Sequence, residues 1–155
     1  LSEEMMEVGK EKVLRQGMAE RVRFMQASAL QMPFDEGRFD AVTCSYGVRN
    51  FSDLEQGLSE MYRVMKPGGE LMILEFSYPA NPLIAWGYDL YFSHILPWVG
   101  RVFSRDKTAY SYLNRSVKNF IWGEKMCRQL RAIGFSDVRC QTLSFGITTI
   151  YRAAK

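Results

Sequence analysis

The sequence is poor in the residues that mark several common function classes. It has three cysteines, Cys44, Cys127 and Cys140, with no Cys-x-x-Cys pair, and one histidine, His94. A structural zinc site needs paired Cys/His ligands at short spacing, so no metal site is readable. Unevenly spaced thiols fit reduced side chains in a cytosolic compartment rather than a disulfide framework. No Gly-x-Gly-x-x-Gly follows a strand pattern anywhere in the chain, which argues against an NAD dehydrogenase. The net charge is only +3, and no Lys/Arg cluster is long enough to grip a phosphate backbone; no nucleic-acid partner is expected. Mild basicity is equally compatible with an anionic membrane surface. The opening Leu1-Ser2-Glu3-Glu4 has no initiator methionine or targeting pattern and reads as the interior of a longer protein.

What is present is a globular composition, 47% hydrophobic and 24% charged over 155 residues, enough for a single domain with its own core. The chain is organised around Arg63 to Ser77, Arg-Val-Met-Lys-Pro-Gly-Gly-Glu-Leu-Met-Ile-Leu-Glu-Phe-Ser. Lys66 is placed in a last helical turn, Pro67 cannot continue the helix, and Gly68 and Gly69 permit positive φ. Leu71 to Leu74 is an unbroken apolar run, the pattern of a strand covered on both faces. Helix, tight turn and buried strand together predict an open α/β sheet.

Upstream, Ser2 to about Gln16 predicts a helix ended by Gly17, with Ser2 as N-cap. Arg21 to Gln26 alternates as an edge strand does, and Phe39 to Ser45 reads as a further strand. Ser52 and Glu55 have capping-box spacing. Behind them Leu54, Leu58, Met61 and Met65 form one apolar helical stripe. Downstream, about 79–120 is rich in aromatics and interrupted by Pro79, Pro82 and Pro97. The prolines and Asp89 argue against a membrane span. The segment reads as a helical cap or insertion facing a greasy ligand, the core or a membrane interface. Glu124 to Ile133 predicts a short amphipathic helix stopped by Gly134. Ser136 to Leu143 and Gly146 to Ala153 then predict two adjacent strands, antiparallel because the link between them is short.

An α/β sheet closing on an antiparallel hairpin resembles the Rossmann-like sheet of class I methyltransferases that use S-adenosylmethionine. Arg63-Val-Met-Lys-Pro-Gly-Gly through Leu74-Glu-Phe-Ser77, together with Ser45-Tyr-Gly-Val-Arg-Asn50, is similar to the signatures of the quinone C-methyltransferase family of ubiquinone and menaquinone biosynthesis. The likeness continues through Tyr88-Asp89-Leu90-Tyr91, Ile95-Leu96-Pro97, Tyr110-Ser111-Tyr112-Leu113 and Gly134-Phe135. It implies a single partial methyltransferase domain over 1–155 that lacks the first and second strands, the glycine-rich cofactor loop, and the ribose-binding acid expected just before Leu1. Without the first strand, Arg21 to Gln26 would have no neighbour. Further residues of the protein or a second copy of the chain would be expected on the exposed edge.

By the same resemblance, Ser28 and Ala29 match the pair that contacts the adenine, and Ser45 a cofactor position at a strand's carboxyl end. Ser28 is otherwise a turn residue and Ser45 a hydroxyl that ends a strand. Methylating an aromatic carbon needs electron density on the ring, which an ionised substrate hydroxyl supplies. Arg49 is therefore the candidate for polarising the acceptor and Asn50 for positioning it; the alternative for Arg49 is neutralisation of Asp53 or Asp89. His94 is a candidate for taking the ring proton, or a packed histidine. Tyr46, Asp89 and Tyr91 are candidates for lining the acceptor pocket, although aromatics at helical spacing are commonly core. Glu75 is the remaining acid near the site.

The expected activity is methyl transfer from S-adenosylmethionine to a ring carbon of a polyprenylated demethylquinol, by a cytoplasmic protein peripheral to the inner face of the membrane. The alternatives are a methyltransferase for a sterol or another hydrophobic acceptor, and a truncated, non-catalytic lipid- or partner-binding domain.

Overall fold

The computed structural model describes residues 3–91 and 115–155. Helix α1 (Glu3–Arg15) is followed by Gly17, whose φ of +66° favours a residue without Cβ. The predicted cap Ser2 lies outside the described residues. Strand β1 (Phe39–Ser45) leads through a 3-10 turn (Val48–Asn50) to α2 (Leu54–Val64), and β2 (Met65–Phe76) follows α2 without a loop. Helix α3 (Pro82–Leu90) is the described start of the aromatic segment, and residues 115–119 are helical at its far end. Helix α4 (Glu124–Ile133), β3 (Ser136–Leu143) and β4 (Thr148–Ala154) complete the chain.

The sheet order is β1-β2-β4-β3. β1 and β2 are parallel, as a helical crossover allows. β4 runs antiparallel to both β2 and β3, as predicted. Helices α2 and α4 cover one face. Leu58 and Met61 of α2 and Met126 and Leu130 of α4 close over Leu71, Ile73, Tyr151 and Ala153, all buried. Fully burying a large apolar side chain stabilises by roughly 1.5–3 kcal/mol, so this layer accounts for most of the core.

Several sequence expectations need correction. Arg21 to Gln26 forms no strand and is mostly exposed. Among the described residues no strand pairs with the outer edge of β1, and an extended segment with no partner leaves its backbone donors and acceptors to water. β2 is covered on one face only by described elements: Leu71 and Ile73 are buried, whereas Met72 and Leu74 are half-buried.

Lys66 is not in a helical turn. The helix stops at Val64 because Met65 is already extended (φ −78°, ψ 144°) and pairs with Phe39, and Lys66 ion-pairs with Asp40 at 2.7 Å. Gly68 does adopt positive φ (+76°) and donates its N–H to the Lys155 carbonyl at 2.9 Å. Gly69 does not; it is required for space, since a Cβ there would lie 2.9 Å from the Lys66 carbonyl oxygen. The cap of α2 is Asp53 rather than Ser52, its carboxylate accepting from Gln56 N at 2.9 Å. The last strand begins at Thr148 because Ser144, Phe145 and Gly146 take up positive φ in the turn.

Candidate active site

The loop after β1 and the end of β2 meet at the carboxyl edge of the parallel pair, where open α/β sheets hold ligands. Ser45 is exposed at the end of β1, and Tyr46, at φ +54°, turns the chain sharply away from the sheet. Such a conformation is uncommon for a residue with a Cβ and needs anchoring. The Tyr46 N–H donates to the Leu74 carbonyl at 2.8 Å. The Tyr46 carbonyl accepts from Arg49 Nη1 at 2.9 Å and from Asn50 Nδ2 at 3.5 Å.

Arg49 is the centre of this cluster. Its Nη1 also donates to Glu75 Oε1 at 2.7 Å, and its backbone N–H donates to Glu75 Oε2 at 3.2 Å. The guanidinium lies 5.2 Å from the centre of the Phe76 ring, which in turn packs against Tyr46 at 4.5 Å. The Arg49 side chain is 11% exposed and Glu75 fully buried. Arg49 therefore does neutralise an acid, but the partner is Glu75, not Asp53 or Asp89. Asp53 caps α2, and Asp89 is taken by Tyr78 Oη at 2.7 Å and Lys118 Nζ at 2.8 Å.

Sequence reasoning named Glu75 only as a leftover acid. Its signal was strand alternation: Leu71, Ile73 and Glu75 share one face of β2, so an acid continuing two buried apolar positions must have a dedicated partner. Thr149, opposite Glu75 in the register, was missed as well. It is buried and donates to Ser77 Oγ at 2.9 Å, while Ser77 Oγ donates to the Gly146 carbonyl at 2.8 Å, tying the end of β2 to the hairpin turn.

The other candidates are distributed around this centre. Ser28 closes a local turn, its Oγ accepting from Leu30 N at 3.2 Å, and Ala29 is half-buried beside it. Asp89 belongs to a second cluster with Tyr78 and Tyr88, whose rings meet edge to face at 5.7 Å. Lys118 first and then Tyr78 hold the Asp89 carboxyl below its ordinary value. Burial, and then Asp89, push Tyr88 up to about 12. At neutral pH Asp89 is thus a carboxylate and Tyr78 and Tyr88 are neutral phenols. Tyr91 is exposed just past α3. His94 lies outside the described residues. Burial and the nearby Glu75 charge raise the Cys44 pKa, so it is a neutral thiol beneath the site at neutral pH. Among the described residues no group of acids, cysteines or histidines is arranged to hold a metal ion.

A parallel pair extended by an antiparallel hairpin, with a polar loop at its carboxyl edge, defines a Rossmann-like sheet of the class I methyltransferase kind. Solved structures share it. The chain superposes on a putative methyltransferase from Bacillus halodurans with a TM-score of 0.67 at 18% identity, covering 100% of this chain and 80% of that one. It superposes on the [4+2]-cyclase SpnF with a TM-score of 0.71 at 16% identity, covering 99% and 64%. Identities this low show the fold alone, and the cyclase illustrates that one sheet carries different chemistry.

The chain belongs to the ubiE/COQ5 methyltransferase family, whose model matches residues 1–155. It is 43% identical over 155 residues to a demethylmenaquinone methyltransferase of Bacteroides fragilis, covering all of this chain and 63% of that protein. It is 38% identical over 151 residues to the ubiquinone/menaquinone biosynthesis C-methyltransferase UbiE of Stutzerimonas stutzeri, covering 97% of this chain and 59% of that protein. The chain thus spans about three fifths of the length of these curated relatives.

Proposed function

We propose that the protein transfers a methyl group from S-adenosylmethionine to a ring carbon of a polyprenylated demethylquinol. The observation that carries this reading is the fixed guanidinium of Arg49 at the carboxyl edge of β1 and β2, in a chain 43% identical to a demethylmenaquinone methyltransferase. The residues present fit one side of the cofactor. Ser28 and Ser45 are small, neutral and exposed and Ala29 is half-buried beside Ser28, positions suited to an adenosine. When bound, S-adenosylmethionine supplies an activated methyl group on a sulfonium leaving group.

The chain's own residues act on the acceptor. A quinol hydroxyl set against Arg49 loses its proton more readily, because the guanidinium favours the anion, and the phenolate enriches the ring carbon that accepts the methyl. Asn50, beside Arg49 on the same 3-10 turn, positions the ring oxygen. Tyr46 and Phe76 provide an aromatic wall against which a flat ring packs. Methyl transfer is an in-line displacement, so holding the two reactants in line supplies much of the acceleration. His94 is the proposed acceptor of the ring proton, and Asp89 and Tyr91 are proposed to line the acceptor pocket.

Among the described residues no helix is long and apolar enough to cross a membrane. Exposed Leu83, Trp86 and Leu90 on α3 support a peripheral contact with a lipid surface, where such an acceptor resides. The test is calorimetric titration of S-adenosylmethionine into the protein, and into a version extended at its N-terminus with the corresponding segment of the Bacteroides fragilis relative. Turnover of demethylmenaquinol and of a demethylated ubiquinol precursor is then compared. Binding and methylation support the proposal. Absence of binding by both forms favours the lipid- or partner-binding alternative.

A further inference from the structure

We propose that Glu75 is a positioning residue that fixes the Arg49 guanidinium in the orientation in which it meets the acceptor oxygen. This rests on the methyl-transfer reading above and assigns a role that reading leaves open. Glu75 is fully buried at the end of β2 and accepts three hydrogen bonds: from Arg49 Nη1 at 2.7 Å, from Arg49 N at 3.2 Å and from Phe76 N at 2.9 Å. It therefore grips one residue at two points, side chain and backbone. That determines both where the 3-10 turn sits and which way the guanidinium faces.

The remaining supports act in the same sense. The Tyr46 carbonyl holds the second Nη1 proton, and the Phe76 ring lies alongside the guanidinium. With Nη1 committed, Arg49 Nε is buried and finds no acceptor among the described residues. A buried donor of this kind is normally satisfied, so one left over in the Arg49–Glu75 cluster points to an ordered water as its acceptor.

Stability alone does not account for the arrangement. A buried ion pair is weak evidence for stability, because apolar residues of equal volume commonly serve as well or better. What a two-point carboxylate provides and an apolar pair does not is a single, rigid direction for the cation.

The experiment is a double-mutant cycle on the active protein with Glu75→Gln, Glu75→Asp, Arg49→Lys and the double variant Glu75→Gln/Arg49→Lys. Gln keeps the shape of Glu75 but loses the charge and turns an amide N–H₂ toward a donor. Glu75→Gln is expected to lower kcat by about 10–100-fold with KM for S-adenosylmethionine unchanged, and Glu75→Asp to restore part of the loss. On the Arg49→Lys background the same change should cost less than about 3-fold, because Glu75 acts through Arg49. Equal losses on both backgrounds, or a loss confined to cofactor KM, overturn the assignment.

The ¹⁵N-edited Arg49 Nε–H signal provides a readout independent of turnover. A sharp, slowly exchanging signal that is lost in Glu75→Gln while core methyl signals persist supports the positioning role; an unchanged signal overturns it. Wild-type protein that binds no cofactor and methylates nothing, yet shows this signal and its loss, refutes the methyl-transfer reading while leaving the Glu75–Arg49 assignment standing.

Discussion

Gly57 and Phe51 couple the stability of α2 to the geometry of the turn that carries Arg49 and Asn50, and their opposition can be measured. Gly57 is buried in the interior of α2, where alanine would be preferred by about 1 kcal/mol. A Cβ at that position, however, would lie 2.3 Å from Phe51 Cδ2 and 2.6 Å from Cε2. The ring must then leave its place against the core, forfeiting part of the roughly 1.5–3 kcal/mol that burying a phenylalanine contributes. Displacement is the larger effect, so Gly57→Ala should destabilise by about 0.5–2 kcal/mol, lowering Tm by roughly 1–8 °C for a domain of this size. In a Phe51→Ala background the clash is gone and the same substitution should stabilise, by about 0.5–1 kcal/mol. Urea unfolding of the four variants measures both numbers. A stabilising Gly57→Ala in the parent, or equal effects in the two backgrounds, refutes the assigned contact. Because Phe51 directly follows the 3-10 turn that carries Arg49 and Asn50, its displacement should also reduce turnover more than cofactor binding.

Other predictions follow from burial and charge. Leu58→Ala removes a fully buried side chain beneath the sheet and should cost about 2–5 kcal/mol in urea unfolding; a cost below about 1 kcal/mol contradicts the core assignment. Cys127 is buried with its pKa pushed up to about 12, mainly by burial, so at pH 8 a thiol reagent should modify the exposed Cys140 and reach Cys127 only in denaturant, as mass spectrometry of the labelled peptides would show. The Glu60 carboxyl is held below its ordinary value of 4.5 by Arg63. A depressed acid stabilises fully above its unfolded pKa and loses that contribution as pH falls through the folded one. Glu60→Gln should therefore flatten the fall in stability below about pH 4.5, and an unchanged acid limb contradicts the Glu60–Arg63 link.

The parts of this chain legible in the sequence are those dictated by local chemistry. Phe39 to Ser45, the stop at Gly134 and the antiparallel hairpin each rest on alternation, a positive-φ glycine or a link too short for a crossover, and the structure places each of them. Tertiary pairing decided the rest. Met65 leaves the helix because Phe39 claims it, and no local signal shows that. Arg21 to Gln26 carries a strand pattern but has no described neighbour, so alternation alone does not make it a strand. At the site, Tyr46, Arg49 and Asn50 are readable as a group because they lie in one short segment, Tyr46-Gly47-Val48-Arg49-Asn50. The Glu75 partnership was not, because it joins residues 26 positions apart, and only the register of β2 beside the β1 loop brings them together.

Arg49→Ala tests the central claim most directly, with methyl transfer to a demethylquinol and S-adenosylmethionine affinity measured on the same preparation. Loss of a positioned donor that stabilises developing anionic charge costs about 10²–10³-fold in kcat, and a drop of that order with cofactor affinity nearly unchanged is the predicted result. Turnover that survives the substitution, or a defect confined to cofactor binding, would contradict the placement of Arg49 on the acceptor side of the site.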